Sequence, residues 1–195
     1  GARHFGCFPM ADQHIVLANG NDAGLFDIGA HRAPHALAYR QFADVAKDPS
    51  WDPDREAHVA LLRGLFLTSW LAEDLLFDND NFGAEVTIIT SASSKTSIAM
   101  GWSVQQRGGV SIGLTSEGNR AFVERLGCYT EVVTYDEIGE IDANRRSVVV
   151  DMAGNGAILA DVHNHFGGTL AHSMAIGGSH WESFGQEHEM AGPAP

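Results

Sequence analysis

The sequence predicts an α/β fold built on a doubly wound parallel sheet. Three observations carry this reading. After Gly83, short apolar runs alternate with helical patterns. Those runs lack strict in–out alternation, as expected of strands covered by helices on both faces. Strands separated by helices pair in parallel through right-handed crossovers.

The elements follow in chain order. Residues 1–50 are turn-rich, with Pro9, Gly20, Asn21, Gly24, Gly29 and Pro34, and carry one strand in "HIVLA" at 14–18. "DVAKDPSWDPD" (44–54) is a polar, proline-containing linker. From Arg55 to Phe77 the spacing predicts a long helix, with Val59, Leu62, Phe66, Trp70 and Leu71 on its apolar side. "LFDNDNFGA" ends it in a turn.

The alternating region then opens with a strand in "EVTIIT". A helix runs from Thr96 to Arg107, with Ile98, Ala99 and Trp102 on one face. "GVSIGLT" is the second strand, followed by a short helix from Asn119 to Leu126 with Phe122, Val123 and Leu126 on one face. "TEVVTY" and "RSVVVDMAG" are the third and fourth strands. A helix spans Asn155 to Phe166, and "TLAHSMAIGG" is the fifth strand. In such sheets ligands bind beyond the carboxyl ends of the strands.

Composition bounds the function. With 195 residues, 44% hydrophobic and 19% charged, the chain has the make-up of a soluble globular protein. A formal net charge of −13 argues against nucleic acid or an anionic membrane as partner. No apolar run approaches the roughly 20 residues of a membrane span, and "GARHFGCFPM" lacks the regions of a signal peptide. Cys7 and Cys128 are far apart and form no CxxC, which fits a reducing cytoplasm. The ten His include "HNH" at 163–165 and "HSM" at 172–174, but no HExxH and no Cys/His quartet. No metal is expected, and these His are read as solvated or locally hydrogen-bonded.

"TSASSKTS" (90–97) lies between the first strand and its helix, the layout that binds phosphate at a helix N-terminus. By motif alone three readings stay open. A nucleoside-triphosphate loop needs GxxxxGK[ST]; Lys95 and Thr96 fit its end, but Ile89 and Ser94 stand at the glycine positions. A dinucleotide loop needs small residues, which Ser91, Ala92, Ser93 and Ser94 supply, with Lys95 adding charge. The third reading is a Ser/Thr cluster that caps a buried helix.

Around this loop the sequence resembles the medium-chain dehydrogenase/reductase superfamily, in particular its zinc-free quinone and enoyl reductase branch. "TSASSKTSIAMGWSVQQ" is similar to that branch's GAxGGVG-type loop and helix, with Ser94, Lys95 and Ser97 in place of glycines. Leu126-Gly127 and Tyr135 match the following strand–helix–strand. "GCFPMADQHIVLA" resembles the end of a GroES-like catalytic domain, and "LFLTSWLAEDLL" the helix leading into the nucleotide domain. More narrowly, "FPMA", "LFLTSW", "SASSKT", "GLTSEGN", "VVVDMAGN" and "GGSHW", in that order, resemble the DUF2855 family.

The resemblance implies a Rossmann-like nucleotide domain at 84–185, preceded by a GroES-like remnant at 1–50 and a linker with connecting helix at 51–83, and followed by a tail at 186–195. It also implies that the chain is an internal fragment, with GroES-like sequence before it and a further strand after it. The activity implied is NADP(H)-dependent reduction of an activated C=C, quinone or carbonyl of a small molecule, without zinc, and a homodimer is the expected assembly.

The coenzyme residues implied are Ser91, Ser93, Ser94, Lys95 and Thr96 in the loop. Thr115 and Ser116 stand where an NAD enzyme has its ribose-binding acid, with Arg120 one turn later, which favours NADP over NAD; Glu117 is the counter-signal. Tyr135 matches a tyrosine near the adenosine phosphate, or is a strand-end aromatic. Ala153, Gly154, Asn155, Gly177 and Gly178 would line the nicotinamide end, or serve as ordinary turn residues. Asp151 reads as a capping acid or a ligand. His180 is the candidate proton donor, or a locally bonded histidine. Two other functions compete: a non-catalytic domain that has lost its coenzyme, and a phosphate-binding hydrolase using Lys95, Thr96 and Asp151.

Overall fold

The computed structural model describes residues 3–6, 18–21, 24–178 and 189–195. The chain forms two compact units, residues 1–64 and 65–195. The strand expected at 14–18 lies outside the described residues, apart from Ala18.

In the first unit, β1 (His4–Phe5), β2 (Ala18–Asn21), β3 (Gly24–Asp27) and β4 (Gln41–Asp44) form an antiparallel sheet in the order β1-β4-β3-β2. Helix α1 (Glu56–Asp78) starts in this unit and ends in the second. Among the described residues no helix is long and apolar enough to cross a membrane.

The second unit holds β5 (Val86–Ile89), α2 (Lys95–Gln106), β6 (Ser111–Thr115), α3 (Arg120–Leu126), β7 (Glu131–Thr134), β8 (Ser147–Asp151), α4 (Gly156–Phe166) and β9 (Leu170–Ala175). The strands form one parallel sheet in the order β7-β6-β5-β8-β9. From β5 the chain winds outward to β7, then returns to place β8 on the other side of β5. The sheet is doubly wound, and its switch point lies between β5 and β8.

Both faces are buried, which explains the unalternating apolar strands. Ile89, Val148 and Val150 pack on one side with Leu76 of α1, Met100 and Val104 of α2 and Val123 of α3. Val86, Ile88, Ile112, Leu114 and Val149 pack on the other with Leu159, Val162 and Phe166 of α4.

The apolar stripe expected on α1 is not its buried face. Phe66, Trp70 and Leu71 remain 41%, 42% and 53% exposed, whereas Ser69, Ala72, Glu73 and Leu76 are buried. Close approach and polar pairing decide the facing. The Ser69 hydroxyl donates to the Thr96 carbonyl of α2 at 2.7 Å. Glu73 meets Arg107 Nε at 2.9 Å, and the Arg107 guanidinium also reaches Asp74 at 2.6 Å and covers the Phe77 ring. Burial raises the Glu73 carboxyl above its ordinary value, and Arg107 opposes that shift. On α2, likewise, Ser97, Met100, Gly101, Ser103 and Val104 face inward while Trp102 is exposed. On α3 the face shared by Phe122, Val123 and Leu126 buries only Val123 fully, and Phe122 is exposed.

The turn after α1 is left-handed through Asp80, Asn81 and Phe82, with φ of 51°, 49° and 53°, before Gly83. Each such residue costs about 1–2 kcal/mol. The turn is held by the Phe82 ring stacked on His172, and by Arg146 donating to the Phe82 carbonyl.

Urea denaturation of single variants checks the facing of α1. Leu76→Ala is expected to cost about 2–5 kcal/mol through a core cavity. Leu71→Ala is expected to change stability by less than about 1 kcal/mol.

Candidate nucleotide site at the carboxyl end of the parallel sheet

The loop after β5 is fixed by side-chain hydroxyls. Thr90 Oγ1 donates to Asp151 Oδ1 at 2.6 Å and accepts from the Met152 amide at 2.9 Å, tying the ends of β5 and β8 together. Ser91 then turns left-handed, with φ 51°. This is where a glycine would ordinarily stand. The Ala92 amide donates to the Leu114 carbonyl at 2.9 Å, and the Ala92 carbonyl accepts from the Tyr129 hydroxyl at 2.9 Å.

The Tyr129 ring occupies the space that a side chain at Gly101 or Gly113 would need: a Cβ built there would meet it at 2.6 or 2.9 Å. Burial raises the Tyr129 phenol far above its ordinary value, so it stays a hydrogen-bond donor.

Ser94 caps α2, its Oγ accepting from the Ser97 amide at 3.2 Å. The Ser97 hydroxyl donates to the Thr90 carbonyl at 2.7 Å, which fastens the first turn of α2 to the end of β5. Where small glycines would give close helix–strand packing, a buried hydroxyl supplies it here. Lys95 and Thr96 begin α2, where backbone N–H groups have no intrahelical acceptor. Lys95 is exposed and forms no ion pair among the described residues.

At the end of β6, Thr115 is buried and Ser116 is exposed. Asn119 joins the two loops: its Nδ2 donates to Ser93 Oγ and to Ser116 Oγ, each at 3.2 Å. Arg120 Nε donates to Glu117 at 3.2 Å, and its Nη2 donates to Glu137 and, at 3.5 Å, to Thr134 Oγ1. Tyr135 follows β7 and is half-buried. Burial raises its phenol, while the Ser91 backbone acts the other way.

At the ends of β8 and β9 the backbone is tightly interlocked. Asp151 is 3% exposed. Besides Thr90, its Oδ1 accepts from the Ala153 amide at 3.0 Å and its Oδ2 from the Gly154 amide at 3.1 Å. It caps its own turn. Gly154 is left-handed at φ 67°, and a Cβ there would come within 3.0 Å of the Gly177 carbonyl oxygen and Gly178 Cα. A Cβ at Gly177 would sit 2.0 Å from the Met152 carbonyl oxygen. Asn155 caps α4, accepting from Ala157 at 3.2 Å and Ile158 at 3.4 Å.

The sheet therefore brings Ser91, Ser93, Ser94, Lys95 and Thr96 beside Ser116 and Arg120, and sets Ala153, Gly154 and Asn155 beside Gly177 and Gly178. Thr115 faces inward and is withdrawn from the surface. His180 lies outside the described residues. Asn119, Tyr129 and Glu137 were not singled out from the sequence; Asn119, four residues past the end of β6 in a capping-type position, and Glu137, in the T-x-x-E box at 134–137, left local signals.

His163 and His165 are satisfied locally. His163 is buried between the Ala191 carbonyl, 2.9 Å from Nδ1, and Ser173 Oγ, 2.8 Å from Nε2. His165 Nε2 is 2.7 Å from the Ile141 carbonyl.

Two variants check the framework by chemical denaturation. Asp151→Ala leaves the Thr90 hydroxyl, the buried Ala153 amide and the half-buried Gly154 amide without their acceptor and is expected to cost about 2–4 kcal/mol. Ser91→Gly removes left-handed strain and is expected to be neutral or to stabilise by up to about 1 kcal/mol.

Comparison with a solved structure supports the fold. A candidate NADPH:quinone reductase from Mesorhizobium loti aligns with a TM-score of 0.52 at 14% identity, over 75% of this chain and 44% of its own. The YhdH oxidoreductase from Salmonella enterica, solved with NADP, gives 0.47 at 17% identity, over 74% of this chain and 46% of its own. A thermostable alcohol dehydrogenase from Pyrobaculum aerophilum gives 0.46 at 17%, over 73% and 42%. The chain spans less than half the length of these proteins. No curated protein matches it. The model of the family described as a protein of unknown function, DUF2855, matches residues 1–194, and the chain belongs to that family.

Proposed function

We propose that the carboxyl end of the parallel sheet binds NADP(H), and that the protein is a zinc-free reductase passing hydride to an activated C=C, quinone or carbonyl of a small molecule. The observation that carries this is the Ser91–Thr96 loop. It lies at the switch point of a doubly wound sheet, is made of small residues apart from the exposed Lys95, and opens a 12-residue helix.

The residues fit an anionic dinucleotide. No acidic side chain occurs between Thr90 and Gln106, and the nearby Asp151 carboxylate is turned inward onto Thr90, Ala153 and Gly154. The Lys95 and Thr96 amides and the Lys95 ammonium would hold the pyrophosphate. Ser93, Ser116 and Asn119 offer hydroxyl and amide groups to the adenosine ribose, and Arg120 is the cation for a 2′-phosphate. The glycines at 154, 177 and 178 keep the nicotinamide end free of side chains. When bound, the coenzyme supplies the hydride; the chain's own groups bind and orient it. The shared fold with the Mesorhizobium loti protein is consistent with this reading. In the same reading, residues 1–50 are the end of a GroES-like domain, 51–83 its connection, 84–185 the nucleotide domain and 186–195 a tail.

The hydrolase alternative is disfavoured by Asp151, whose oxygens are engaged by its own turn and Thr90. The non-catalytic alternative draws on Tyr135 and Arg120, which already have partners in the loop region.

Calorimetric titration of the whole protein with NADPH and NADH separates these. Submillimolar NADPH binding, weakened about tenfold or more by Lys95→Glu, is the expected result, the size following from replacing a charge-assisted contact by repulsion. Binding of neither coenzyme overturns the proposal.

A further inference from the structure

We infer that Glu137 is a specificity-determining residue of this site, which restrains its preference for the phosphorylated coenzyme by holding Arg120. The inference rests on the coenzyme reading above and concerns a residue that touches the coenzyme only through Arg120.

The geometry is a cation shared between two carboxylates. Arg120 Nε meets Glu117 Oε2 at 3.2 Å, and Arg120 Nη2 meets Glu137 Oε2. The two acids are not equivalent. The Glu117 side chain is 77% exposed and free to swing away. Glu137 is anchored: its Oε2 accepts from the Thr134 backbone amide at 3.2 Å, and with the Thr134 side chain it forms a capping box that opens the turn at 135–140. These hydrogen bonds hold the Glu137 carboxyl below its ordinary range, so it is ionised at neutral pH.

Arg120 is the cation that follows β6, beside Ser116 and Asn119. With both acids ionised, the cluster of Arg120, Glu117 and Glu137 carries one net negative charge. A 2′-phosphate placed here must draw the guanidinium from an anchored carboxylate. A 2′-hydroxyl does not meet that cost, and it can donate to Glu117. Glu137 therefore weakens NADPH binding and leaves NADH binding nearly unchanged.

The test is calorimetric titration of the whole protein with NADPH and NADH, for wild type, Glu137→Gln, Arg120→Ala and the double variant. Gln keeps an oxygen for the Thr134 amide, and thermal unfolding verifies that the fold is retained. Glu137→Gln is expected to tighten NADPH binding about fivefold, the scale of one partly exposed ion pair, with NADH changed less than about twofold. In the Arg120→Ala background the same substitution is expected to have no effect on the ratio of the two affinities, as a double-mutant cycle requires of a residue acting through Arg120. Glu137→Asp, which keeps the charge but retracts it by one methylene, is expected to lie between, and supplies the reading should Gln disturb the turn. An unchanged ratio in Glu137→Gln and Glu137→Asp, or an equal change without Arg120, overturns the inference while leaving coenzyme binding intact. Binding of neither coenzyme by any form overturns the coenzyme reading and this inference together.

Discussion

The hydrogen bond from Thr90 to Asp151, 2.6 Å long and buried, couples the two loops on which the site depends. Thr90 ends the apolar run of β5, and Asp151 ends β8, its parallel neighbour. The remaining capacity of each group is spent on the backbone that leaves the strand: Met152 donates to Thr90, and Ala153 and Gly154 donate to Asp151. A buried carboxylate with three donors is stable where an unpaired one would not be. The bond also turns the Asp151 charge away from the crevice. An acid in the open there would repel the phosphates of the proposed coenzyme.

From that bond the rest of the crevice is built by hydroxyls where nucleotide-binding loops ordinarily use glycines. Ser97 reaches the Thr90 carbonyl, Ser94 caps the helix, and Ser69 brings α1 onto α2 through the Thr96 carbonyl. Tyr129 fills the gap between Gly101 and Gly113 and secures the Ala92 carbonyl. Each hydroxyl replaces close steric approach by a directed bond. Only Ser91 keeps the left-handed turn itself, without the glycine that would relieve it.

Much of this was legible in the sequence. The order of strands and helices after Gly83 was readable because each strand is a compact apolar run between turn residues, and both faces of the sheet are covered. The loop was readable as a turn of small residues before a helix. What was not legible depends on distant partners. Helix α1 is apolar around much of its circumference, so periodicity alone picked Leu62, Phe66 and Trp70; the buried side was settled by Ser69 meeting Thr96 and Glu73 meeting Arg107. Thr115 looked available because strand ends commonly are, but it is buried. Asp151 was open between cap and ligand until its partners were known. Glu137 offered only a T-x-x-E capping-box pattern at 134–137; its place opposite Arg120, across 17 residues of chain, was not legible.

The electrostatics sharpen the account. A chain with net charge −13 must hold an anionic coenzyme by local donors, because its overall field is repulsive. In the proposed reading those donors would be the first amides of α2, Lys95 and the Ser93–Asn119–Ser116 cluster. The most direct measurement is the amide chemical-shift change on adding saturating NADPH to isotope-labelled protein. The account predicts the largest changes at Ser93, Lys95, Thr96 and the side-chain amide of Asn119, with little change at the amides of Leu76 or Thr87. Changes centred elsewhere in the protein, with the Ser93–Thr96 amides unmoved, would contradict it.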